Sequence, residues 1–140
     1  MKTAFNIVVL AVLLITPGVC FALWDIELVT KDRAKEMGME VRSVAAGPNH
    51  VTVELEFKTE GQLKDFSRVD LRIGEGDNLL VTAALREDRS KPGRVVVSFT
   101  ADRGHLNKAN LRVMVPYRDG GLGGAIYALH VKDFVELKDR

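Results

Sequence analysis

Apolar and polar residues alternate along most of this chain. Val51, Val53, Leu55 and Phe57 share one parity, and His50, Thr52, Glu54, Glu56 and Lys58 share the other. Successive strand side chains point to opposite faces, so this segment predicts a strand that is buried on one side and charged on the other. The same parity gives further inward sets: Val69/Leu71/Ile73, Leu79/Val81/Ala83/Leu85, Val95/Val97/Phe99, Leu111/Val113/Val115/Tyr117 and Tyr127/Leu129/Val131. Two weaker strands precede them, over residues 24–29 and 39–45. Between those two, Thr30 to Gly38 predicts one or two helical turns, capped by Thr30 or Asp32 and ended by Gly38. Lys132-Asp133 interrupts the alternation and predicts a bulge before a final strand from Phe134 to Leu137. The run Val95-Val96-Val97 would template aggregation on an open edge, so its strand is expected in the middle of a sheet.

Loop compositions punctuate these runs: Gly47-Pro48-Asn49, Gly74 through Asn78, Lys91-Pro92-Gly93 and Asp119 through Gly124. About eight short strands at this spacing predict an all-β fold, an antiparallel β-sandwich of immunoglobulin-like type, with a small barrel as the alternative. The stretch Asp102 to Ala109 is long enough to cross between two sheets. No repeat or linker divides the chain, so residues 23–140 are expected to form a single domain.

The first 22 residues have a different character. Lys2 precedes the uninterrupted apolar run Ile7 to Ile15, and Thr16-Pro17-Gly18 ends any helix there. Cys20-Phe21-Ala22 then offers small side chains at the first and third positions before a cut. Residues 1–22 therefore read as a signal-peptide helix with the mature start at Leu23, and the chain is expected in the periplasm or outside the cell. The alternative is an uncleaved anchor, but a spanning helix needs about 20 apolar residues and this run breaks halfway. Contact with the membrane is thus expected only in passing, through the signal segment. Its removal takes away Lys2 and the single cysteine, leaving 19 Lys+Arg (20 less Lys2) against 19 Asp+Glu. A nucleic-acid binder would carry a basic excess, and none is left. Without disulfides the domain must be held by its core, which favours a bacterial envelope as its setting.

Candidate chemistry is sparse. Several strands carry apolar residues on their outward parity, Leu80, Val96, Met114 and Ile126 among them, and Leu122 tips a glycine-rich loop. Contiguous exposed apolar surface marks contacts, so these five residues are the expected partner-binding positions, the partner being an envelope or extracellular protein. The alternative function is a periplasmic metal carrier of the copper type, in which His50, His130 and Met114 would supply soft ligands. That requires the strands of His50 and His130 to pair in register. The turn Glu75 to Asn78 lacks the ligand spacing of a calcium loop. Gly120 to Gly124 opens a strand rather than a helix, so it does not make a phosphate cradle. No nucleophile motif or recessed carboxylate pair stands out. The sequence reads as a non-enzyme that calls for no cofactor.

Overall fold

The computed structural model describes residues 23–76, 78–118 and 121–136; the predicted signal segment and Leu137 lie outside them. In chain order the elements are β1 (Leu23–Leu28), helix α1 (Lys31–Glu36), β2 (Met39–Ala45), β3 (His50–Lys58), β4 (Arg68–Glu75), β5 (Asn78–Val81), β6 (Arg86–Asp88), β7 (Arg94–Asp102), β8 (Ala109–Pro116) and β9 (Gly123–His130). They form two sheets, one ordered β1-β9-β8-β4-β5 and the other β2-β3-β7-β6. A 3-10 turn over Arg103–Lys108 carries the chain from one sheet to the other between β7 and β8, at the crossing the sequence predicts.

The interior is built from the alternating apolar set. Val53, Leu55, Phe57, Val97, Leu111, Val113 and Leu129 are almost wholly withdrawn from solvent. Burying each such side chain contributes roughly 1.5–3 kcal/mol before chain entropy is counted. Phe66 closes one side of this core, its ring edge-on to Phe57 at 5.0 Å between centroids. The triple valine lies on β7, flanked by β3 and β6, so its backbone groups are paired on both sides.

Helix α1 bridges the two sheets between β1 and β2. The Thr30 hydroxyl accepts from the Arg33 amide at 3.2 Å, which satisfies one of the donors that a helix start leaves open. Ala34 points into the core, and Gly38 leaves the helix at a φ of 71°.

Four details depart from the alternation. First, β1 runs parallel to β9, so the larger sheet is mixed rather than antiparallel throughout. Second, the strand expected over 79–85 ends at Val81, and 82–85 are irregular. A register shift at Ile73/Gly74 sets Val81 opposite Ile73 but Leu79 opposite Gly74, and Leu79 is 60% exposed. Third, Tyr117 lies beyond the end of β8 and is exposed, its hydroxyl donating to Asp25 Oδ2 at 2.6 Å. Fourth, Val131–Asp133 form a 3-10 turn instead of a bulge, and no strand forms over 134–136. That turn still buries Val131 and Val135, which is why the periodicity there resembles a strand.

Candidate functional site

Alternation within β1 sets two unlike faces on six residues. Trp24, Ile26 and Leu28 share one parity, and Leu23, Asp25 and Glu27 share the other. The parallel register places Trp24, Ile26 and Leu28 beside Gly124, Ile126 and Ala128 of β9. Those three lie opposite Pro116, Met114 and Arg112 of β8. Apart from Arg112, these positions make one apolar stripe across three adjacent strands on the outer face of the larger sheet. Its profile is stepped. Ile26 and Leu28 stand 68% and 52% exposed, while Ile126 and Met114 are buried.

Close backbone approaches fix this surface. Gly123 adopts a φ of 109°, and a Cβ there would come within 1.9 Å of the Leu23 carbonyl oxygen. A Cβ on Gly124 would meet the Val115 carbonyl at 2.2 Å and the Trp24 ring at 2.8 Å. The indole of Trp24 thus lies over a glycine because only a glycine leaves it room. At the other margin the Arg68 guanidinium donates from Nε to Met114 Sδ at 3.2 Å. Behind the stripe, Glu27 accepts from Arg33 Nε at 2.7 Å, and this bond raises the Arg33 pKa above its ordinary value. Tyr127, on the inner parity of β9, has its phenol pKa raised by burial.

The smaller sheet presents a different outer face. Arg42 reaches Glu56 at 2.9 Å and Glu54 at 3.6 Å, and Arg94 holds the other Glu56 oxygen. Burial opposes ionisation of Glu56, but the two guanidinium groups outweigh it and its pKa is lowered. Beside them the hydroxyls of Thr52 and Thr100 are 2.8 Å apart. This is a solvated ion-pair ladder with the ordinary chemistry of an outer sheet face.

The structure brings together two of the five expected contact residues. Met114 and Ile126 pair directly. Leu80 lies on β5 at the far edge of the same sheet, and Leu122 is exposed one residue before Gly123. Val96 belongs to the other sheet, opposite Glu56 and Asp88 and half-buried among charges. Sequence reasoning missed Trp24, Ile26 and Leu28. Their alternation with Asp25 and Glu27 was visible, but an apolar parity is ordinarily read as facing inward. Here the parallel pairing with β9 turns it outward.

The candidate metal ligands are dispersed. His50 lies on β3, opposite Asp102, and His130 ends β9, opposite Asn110, in the other sheet. The in-register pairing that the metal reading needs is not formed, and Met114 receives Arg68 instead. His130 faces Asp133 at 3.9 Å. Among the described residues no three His, Cys, Asp or Glu side chains converge as a metal set. No helix among them is long and apolar enough to cross a membrane. Compared with protein families, curated proteins and solved structures, the chain matches none.

Proposed function

We propose that this chain is an exported, non-catalytic domain of immunoglobulin-like type that acts by apolar contact with a protein of the envelope or the extracellular space. The observation that carries the reading is the stripe on β1, β9 and β8, where Ile26 and Leu28 stand exposed beside Ile126, Ala128 and Met114. Large apolar side chains that stand exposed together are the mark of a contact surface, and Ile26 and Leu28 are such a pair. The orders β2-β3-β7-β6 and β9-β8-β4-β5 correspond to the A-B-E-D and G-F-C-C′ orders of immunoglobulin-like sandwiches, which supports that part of the reading. The signal-like composition of residues 1–22, immediately before β1, supports export.

The partner is a different protein rather than a second copy joined through the β1 edge. An antiparallel β1–β1 pair centred on Ile26 would set Asp25 against Glu27 of the other copy, and like charges directly opposite destabilise a sheet. The test is the double substitution Ile26→Glu/Leu28→Glu, since both side chains already reach solvent. It should leave the unfolding temperature within a few degrees of wild type and abolish photo-crosslinking of the partner from a probe at position 24. Crosslinks that persist in the folded double variant would sink the proposal. Mass spectrometry of the exported protein should find Leu23 as its first residue.

A further inference from the structure

At the Lys58 end of β3 the ion-pair ladder changes its balance of charge. The β3–β7 register sets Lys58 directly opposite Arg94, both on the outward parity. Like charges directly opposite one another destabilise a sheet, so this pair gains from an anion seated between them. A third cation joins from the last turn of α1: Lys35, Lys58 and Arg94 line one cavity of about 340 Å³. Glu40 and Glu56 also line it, yet each lies beside Arg42, at 4.0 and 2.9 Å. Arg94 shares Glu56 with Arg42, and Lys58 reaches Glu60 at 3.9 Å.

A second cavity, of about 460 Å³, shares Lys35, Gly38 and Lys58 with the first and adds Arg33, Glu60 and Gln62. The two therefore meet over Gly38, where a Cβ would have nothing within 4 Å among the described residues. Bare backbone at this turn lets a ligand pass from one cavity into the other. Both volumes fall in the range of small-ligand sites, about 300–1,000 Å³. The second cavity is polar. Apart from Met37 and Leu63, its lining residues are charged, amide or glycine, and none is aromatic.

We infer that this double cavity binds a phosphorylated sugar, its phosphate held by Lys35, Lys58 and Arg94 and its hydroxyls lying toward Glu60 and Gln62. A phosphate monoester carries about two negative charges at neutral pH and offers three strong acceptor oxygens. That suits a group of three cations better than a single carboxylate does, and hydrogen bonds between ionised partners are the strong ones. Carboxylate and amide side chains in the second cavity answer a hydroxylated body, since a carboxylate accepts from a hydroxyl and an amide both accepts and donates. A nucleotide fits less well, because its base would find no ring to stack on. The site lies at the α1 end of the smaller sheet, apart from the β1 stripe, and does not depend on it.

The test titrates the folded protein, labelled for NMR, with glucose 6-phosphate, and with glucose, glucuronate and inorganic phosphate as separate arms. Glucose 6-phosphate should shift amides within 35–38 and 58–62 and at Arg94. It should bind at least about tenfold more tightly than any of the other three, because it alone supplies both the dianion and the hydroxylated body. Lys35→Glu/Lys58→Glu should weaken it at least about tenfold, because attraction becomes repulsion. If that variant loses spectral dispersion, Lys35→Gln/Lys58→Gln replaces it and should weaken binding in the same direction. The Ile26→Glu/Leu28→Glu variant should bind the sugar phosphate like wild type, which keeps the two surfaces distinguishable. Equal affinity for inorganic phosphate, which would mean an anion site only, would overturn the inference. So would equal affinity for glucose or glucuronate, a footprint elsewhere, or no binding at millimolar glucose 6-phosphate.

Discussion

At Gly123 one missing methyl group decides where a strand lies. Its φ of 109° and the 1.9 Å gap between a would-be Cβ and the Leu23 carbonyl leave room for no other residue. Gly123→Ala is therefore expected to lift the start of β1 off β9 while the rest of the sandwich stays closed. Hydrogen exchange should show faster exchange at Leu23 to Asp25, with the β3 and β7 amides still protected; unchanged protection at the start of β1 would contradict it. Residue-level features divide sharply in how readable they were. Val53, Leu55 and Phe57 follow from parity alone, because nothing but burial explains such spacing. Leu79 and Tyr117 share that spacing yet are exposed. A register shift displaces the first, and the second lies past the end of its strand, where its hydroxyl finds Asp25. Neither event leaves a trace in the local sequence.

Among the elements, β3 shows how a sheet's outer face is held. Glu56 is gripped by Arg42 from β2 and Arg94 from β7, so three strands meet on one carboxylate. Its lowered pKa means the folded state binds this proton less readily than the unfolded chain does. The resulting stability is fully present above the usual glutamate range and is lost as the pH falls through the depressed folded value. Glu56→Gln should cost up to about 1 kcal/mol at pH 7, as partly exposed ion pairs do. The gap between variant and wild type should narrow as the pH falls below the usual glutamate range, measured by urea unfolding at neutral and at acid pH. A gap that widens on acidification would refute this account of the ladder. Strand positions were readable because alternation is a property of each strand by itself. Strand direction was not, because a parallel and an antiparallel neighbour ask for the same pattern. That blindness hid the stripe: Trp24, Ile26 and Leu28 become an outer surface only through the company of Ile126 and Ala128. The 3-10 turn at Val131–Asp133 escaped for a similar reason, since it buries Val131 and Val135 as a bulged strand would.

Over the whole molecule, the two sheets divide labour by their outer faces: one carries ion pairs, the other an apolar stripe. The sequence separated inside from outside well, but it had no means of sorting outward residues between sheets, so Val96 was grouped with Met114. Topology also sets an order of events. Leu23 pairs with Gly123, a hundred positions later, whereas β2 and β3 meet across a short turn. Joining distant segments carries the larger loop-closure cost, and non-local pairings are slow to form. β1 leads β9 by a hundred positions, so it must wait for β9 before it has a place to dock. Pulse labelling during refolding should find β2, β3 and β7 protected while β1 still exchanges freely, and simultaneous protection would argue otherwise. On that order of events, Ile26 and Leu28 would for an interval belong to a loose, greasy arm beside an otherwise settled body. An assistant that grasps this arm early would hold the nascent protein without hindering the collapse behind it.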